Sequence, residues 1–144
     1  MIWLLRHAHA EDGAPDEARP LSAEGERQAQ VAGEALASLD LGLQACVSSP
    51  KLRAVQTARP VCEALGLTPV EDHRLEGGPF DAEAIADEHG EHVLLVGHDP
   101  DFSAAVHKLT GAQVRLPKGA IAAVDRGELK ALLRPSELQA LARR

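Results

Sequence analysis

Met1-Ile2-Trp3-Leu4-Leu5-Arg6-His7-Ala8-His9 opens the chain, and its reading decides the fold. Ile2 to Leu5 is a short apolar run that charge ends at once. Such a run reads as a strand buried on both faces of a sheet, although periodicity by itself also fits a segment of buried helix. A guanidinium beside an imidazole fills a core badly. It is well suited to hold and attack an anion. In open α/β sheets ligands sit outside the carboxyl ends of the strands. Arg6 and His7 therefore mark the place to look for a site.

Working outward, two more segments repeat this grammar. His92 to Gly97, HVLLVG, is a second buried-strand candidate and ends in His98. Ala45 to Val47 is a shorter apolar run, and Ser49-Pro50 after it reads as a serine cap with proline at the first helical position. The spacing of Leu52, Val55, Cys62 and Leu65 predicts a helix from Pro50 to Leu65, closed by Gly66, with Arg53 in its first turn. A helix that follows a parallel strand starts at that strand's carboxyl edge. Element order alone thus brings Arg6, His7, Arg53 and His98 to one rim.

The remaining segments fill in an α/β pattern. Ala8 to Pro20 reads as a loop. Ser22 caps a helix from Ala23 to Ser38, with Glu24 and Glu26 in its first turn. Thr68 to Glu71 is a third short strand, Gly77-Gly78-Pro79 a loop, and Asp81 the cap of a short helix to Glu88. Asp99-Pro100 repeats the cap-and-proline start, for a helix ending near Gly111. Gln113 to Leu116, Ala120 to Val124 and Glu128 to Leu133 read as strands, the last two joined through Asp125-Arg126-Gly127 as a hairpin. Ser136 with Gln139 resembles a capping box for a terminal helix, Glu137 to Ala142.

At 144 residues the expectation is one domain, 1–144, large enough for a core. One Trp, two Phe and no Tyr leave that core to Leu, Val, Ile and Ala. A net charge of -7 argues against non-specific binding of nucleic acid and against an anionic membrane surface. Between Glu71 and Glu91 eight acids face only Arg74 as a full cation, which reads as a solvated face. Cys46 and Cys62 have neither redox nor zinc spacing and read as small apolar residues, one in a strand and one in a helix. No apolar stretch is long enough to span a bilayer, and Arg6 interrupts the N-terminus too early for a signal peptide. The expected location is the cytoplasm.

Two arginines, two histidines and two helix N-termini at one rim suit a phosphoryl dianion. Arg binds its oxygens in a planar fork, and helix ends add N–H donors and positive dipole ends. An imidazole can attack phosphorus and so split one hydrolysis into two steps. Its attacking nitrogen must be bare, and the other must be held by a hydrogen bond that fixes the tautomer. His7-Ala8-His9 with Glu11 and Asp12 also suggests a metal-dependent hydrolase. Against that stand the repulsive charge of Arg6 and the lack of a further ligand cluster. His9, His73, His89, His92 and His107 read as solvated or structural.

LLRHAH at residues 4–9, SSPKLRAVQTA at 48–58 and LVGHDPDFS at 95–103 resemble, in order, the three motifs of the histidine phosphatase superfamily. The short chain, RPLSAEG at 19–25 and LLRPSEL at 132–138 are similar to its SixA-type phosphohistidine phosphatases. The resemblance implies a three-layer α/β/α sandwich with a mainly parallel central sheet, phosphoglycerate mutase-like, and no metal or other cofactor. It makes His7 the residue that becomes phosphorylated, and Arg6, Arg53 and His98 the phosphate pocket. Arg19 is expected to line the pocket from the first loop. Glu76, in RLEGG, is the nearest match to the carboxylate that serves phosphomonoesterase members as general acid. Where the family usually has glycine after the nucleophile, this chain has Ala8.

The substrate expected is phosphohistidine on a protein. An imidazole leaving group, with a free pKa of about 6.5, needs less help from an acid than an alkoxide does. The chain also lacks the length for lids over small substrates. The alternatives are a small phosphate ester as substrate, or a phosphate-binding module with little turnover. A monomer is the expected state.

Overall fold

The computed structural model describes residues 1–143. Six strands form one sheet: β1 (Ile2–Arg6), β2 (Ala45–Ser48), β3 (Pro69–Glu71), β4 (Val93–Gly97), β5 (Ile121–Asp125) and β6 (Glu128–Leu133). Their spatial order is β3-β2-β4-β1-β5-β6. The first four run parallel, and β5 and β6 add an antiparallel edge. Five α-helices accompany them among the described residues: α1 (Ala23–Ser38), α2 (Leu52–Leu65), α3 (Ala82–Asp87), α4 (Asp101–Thr110) and α5 (Pro135–Ala142).

The alternation of strand side chains divides the core into two layers. Trp3 and Leu5 point to one face, where Leu94, Val96 and Cys46 join Ala32 and Leu36 of α1, Ala58 and Val61 of α2, and Leu138 of α5. Leu4 points to the other face, with Val47, Leu95 and Ala122 against Ile85 of α3 and Phe102 and Val106 of α4. The result is a three-layer α/β/α sandwich, as the resemblance implied. Cys46 and Cys62 are free, buried and part of the first layer. Among the described residues no helix is long and apolar enough to cross a membrane.

Local chemistry explains most boundaries. Ser22 Oγ accepts from Gly25 N–H at 3.0 Å and starts α1; Asp81 does the same for α3 through Ala84 N–H at 3.1 Å. Gly66 closes α2 in the left-handed region at φ 71, which a side chain would disfavour. Gly25 serves a different need. A Cβ there would meet the carbonyl oxygen of His9 at 1.9 Å, so only glycine lets α1 rest on the segment that follows β1.

Four expectations are corrected. The second helix begins at Leu52 and not at Pro50, because Ser49 N–H still pairs with Val96 O at 2.9 Å and prolongs the sheet by a residue. Likewise α4 starts at Asp101, with Pro100 in the cap position and the Asp99 carboxylate accepting from Ser103 N–H at 2.9 Å. Gln113 to Leu116 is not a strand, although Val114 and Leu116 alternate inward. Its polar groups go to side chains: Leu116 N–H to Ser103 Oγ, and Leu116 O to Arg6. The last capping box belongs to Arg134 and Glu137, not to Ser136 and Gln139. Glu137 reaches back to Arg134 N–H at 3.0 Å, and the helix starts at Pro135.

Candidate active site

Strand register gathers the motifs. Arg6 lies opposite Gly97, and Ser48 opposite Val96, so the carboxyl ends of β1, β4 and β2 are neighbours. His7 and His98 each lie one residue beyond. Their ring centroids are 5.2 Å apart, tilted at 55°. Arg53 comes from the first turn of α2. His7, Arg53 and His98 are each about 6–7% exposed, far less than their polarity would favour.

The backbone of His7 is bonded on both sides. Its N–H donates to Gly97 O at 2.9 Å, and its C=O accepts from Gly119 N–H at 3.0 Å. Its Nδ1 lies 2.7 Å from the carbonyl oxygen of Ala8. A carbonyl only accepts, so Nδ1 carries the proton and Nε2 is the bare nitrogen. Ala8 is itself held, its N–H donating to Thr57 Oγ1 at 3.0 Å. Among the described residues only Asp40 and Arg126 have positive φ without being glycine. Ala8 therefore occupies ordinary backbone geometry, and glycine's freedom is not required there.

Burial is the main influence on the His7 ring, pushing its pKa down to about 4. The hydrogen bond to Ala8 opposes this, while the charges of Arg53, Arg6 and Lys118 add to it. Burial, then His7, Arg53 and Lys51, push His98 down to about 3. Both rings are thus neutral at pH 7. For either ring the neutral form is present above the lowered pKa and lost only as pH falls through it. In an NMR titration the ring protons of His7 and His98 should shift with midpoints near 4 and 3. Midpoints near 6.5 would contradict this electrostatic picture.

Three buried side-chain nitrogens lack a hydrogen-bond partner among the described residues: Arg6 Nε, Arg53 Nε and His98 Nδ1. All three belong to this cluster. A buried donor left unpaired costs about 1–3 kcal/mol. Arg6 Nε and Arg53 Nε are such donors, in residues whose charges act on the His7 ring, and donors of this kind suit an oxyanion. Arg6 also donates to Leu116 O at 2.8 Å, which fixes its guanidinium.

Arg53 has a partner that the sequence did not reveal. Its two terminal nitrogens donate to the backbone oxygen of Asp16 at 2.8 Å and to Asp16 Oδ2 at 3.1 Å. Arg19 donates to the same carboxylate at 3.1 Å, and Lys51 Nζ lies 3.3 Å from it. The hydrogen bonds from Arg19, Arg53 and Lys51 hold the Asp16 carboxyl well below the usual range. Arg19 is thus joined to the pocket through Asp16, and it also donates to Glu11 O at 2.9 Å. Glu76 lies apart. Its carboxylate is 3.1 Å from His73 Nδ1 on an exposed turn, and no hydrogen bond links it to the four pocket residues. Among the described residues no group of three or more His, Cys, Asp or Glu side chains is placed to hold a metal ion.

The profile of the histidine phosphatase superfamily (branch 1) matches residues 2–81. An uncharacterized protein of Picosynechococcus sp. is 32% identical over 147 residues, covering 88% of this chain and 85% of that one. Among solved structures, SixA of Agrobacterium tumefaciens is 25% identical, with a TM-score of 0.80 over 93% of this chain and 97% of that one. The protein histidine phosphatase SixA complexed with tungstate has the same fold, at 24% identity and a TM-score of 0.80 over 95% and 98% of the two chains. The chain belongs to the histidine phosphatase superfamily, and it is a phosphatase with the phosphoglycerate mutase-like fold.

Proposed function

We propose that this phosphatase removes the phosphoryl group from phosphohistidine on a protein, through a phosphorylated His7. The observation that carries the reading is that the three buried side-chain nitrogens without a partner, Arg6 Nε, Arg53 Nε and His98 Nδ1, all belong to the residues gathered with a His7 ring whose Nε2 is bare. In the first step Nε2 of His7 attacks phosphorus, a new P–N bond forms, and the P–N bond to the substrate imidazole breaks. A ring already protonated on its other nitrogen leaves as neutral imidazole; an unprotonated one takes a proton from water. In the second step water attacks the phosphorylated His7, the enzyme P–N bond breaks, and inorganic phosphate leaves. Arg6, Arg53 and His98 stabilise the charge on the transferring oxygens in both steps.

The leaving group supports this substrate class. Glu76, the nearest match to the family's general acid, has its carboxylate 3.1 Å from His73 Nδ1. An imidazole, with a free pKa of about 6.5, leaves without a dedicated acid. Arg19, held by Asp16 beside Arg53, contributes to substrate binding. The deciding measurement compares turnover of a phosphohistidine protein with a panel of sugar and nucleotide phosphates. The phosphohistidine protein should react fastest. Faster turnover of a small ester would assign the enzyme to that substrate class. Tight phosphate binding without turnover of any of them would make the protein a binding module.

A further inference from the structure

Every hydrogen bond at the pocket has a direction fixed by its chemistry except one. His98 Nε2 and Ser49 Oγ are 2.8 Å apart and buried, and either atom can donate. The surroundings decide the direction. Ser49 Oγ already accepts from Lys51 N–H at 3.2 Å, and among the described hydrogen bonds its own proton has no acceptor but His98 Nε2. A hydroxyl at a fully buried residue would otherwise keep its donor unpaired. The other ring nitrogen, Nδ1, has no protein partner and belongs with Arg6 Nε and Arg53 Nε, both donors.

We propose that Ser49 is a positioning residue that makes the neutral His98 ring a hydrogen-bond donor, by donating to Nε2 and so keeping the ring proton on Nδ1. With the proton there, all three unpaired nitrogens of the pocket are donors, and each can hold one phosphoryl oxygen. With the opposite tautomer, a bare lone pair would face those oxygens and repel them. His98 needs this device because its burial keeps it uncharged, so it does not donate from both nitrogens as a cation would. The arrangement matches that of His7, whose tautomer the Ala8 carbonyl fixes. In both rings Nδ1 carries the proton. For His7 this leaves a nucleophile, and for His98 it supplies a donor. The donor's task rests on the phosphoryl-transfer reading; the tautomer does not.

Long-range 1H–15N NMR on the 15N-labelled protein at neutral pH reads the tautomer directly, with His98 identified by the signals lost in a His98→Gln variant. The expected result is a protonated Nδ1 and a bare Nε2. Ser49→Ala should lose that preference and lower kcat toward a phosphohistidine protein by on the order of tenfold, with KM little changed. Ser49→Thr, which keeps the hydroxyl, should retain the wild-type tautomer. A residue that merely holds the start of α2 would leave the ring's proton where it was. The inference is overturned if His98 carries its proton on Nε2 in the wild type, or if Ser49→Ala keeps the Nδ1 proton. Should Ser49→Ala fail to fold, the wild-type spectrum alone decides. Failure of the phosphatase reading would look different: no phosphorylated His7, with the His98 tautomer intact.

Discussion

A His7→Ala variant should lose turnover by on the order of a thousandfold or more, and should take up no label from a phosphorylated substrate. Removing the nucleophile of a covalent mechanism costs about what removing the whole catalytic group costs, since the remaining groups act through it. Here the remaining groups are donors. They can still hold a phosphoryl group but have nothing to transfer it to. Rapid quenching of wild-type enzyme with labelled substrate should trap an acid-labile, base-stable label on the protein, and the variant should trap none. The substitution sits at a buried position, so thermal unfolding of the variant should be measured beside its activity. Wild-type turnover in a folded His7→Ala protein would end the covalent mechanism.

Arg53→Ala should lower kcat/KM by on the order of 10- to 100-fold. A hydrogen bond to a charged group is worth about 1.5–3 kcal/mol, and each 1.36 kcal/mol is a factor of ten in rate. The guanidinium does more than contact the substrate. Its terminal nitrogens are occupied by Asp16, which turns the fork and leaves Nε buried and unpaired. Without it, Asp16 retains Arg19 and, at the cap of α2, Lys51, but loses both hydrogen bonds from the helix's first turn. The His7 pKa should also rise, because Arg53 is one of the charges that lower it. Arg53→Lys should restore little, since an ammonium cannot reproduce a planar fork held on two sides. An Arg53→Ala enzyme within twofold of wild type would remove this residue from the pocket.

The sequence carried the sheet and the rim well because each depends on local pattern. Ile2–Leu5 and Val93–Val96 are apolar on both faces, and strands covered on both faces are written that way. Their carboxyl ends then place Arg6, His7 and His98 with no further information. Gln113 to Leu116 misled for the converse reason. Its side chains alternate as a strand's do, but Ser103 and Arg6 take its backbone bonds, and neither is near it in the chain. Asp16 was invisible for the same cause. It stands in a polar loop, 37 residues from Arg53, and nothing in its neighbourhood distinguishes it from Asp12 or Glu17. A trace of Ser49 was present, as a cap before Pro50. The hydroxyl's second partner, His98, is 49 residues away and came into view only with the sheet order.

The bonds from His7 to Gly97 and Gly119 have a thermodynamic implication. His7 is not mounted on a hinge or a mobile flap. Its main chain is stitched into the middle of the molecule, so it cannot swing aside unless neighbouring strands part. Inactivation by heat or urea and the melting of the domain should therefore be one event, seen at one midpoint by any probe.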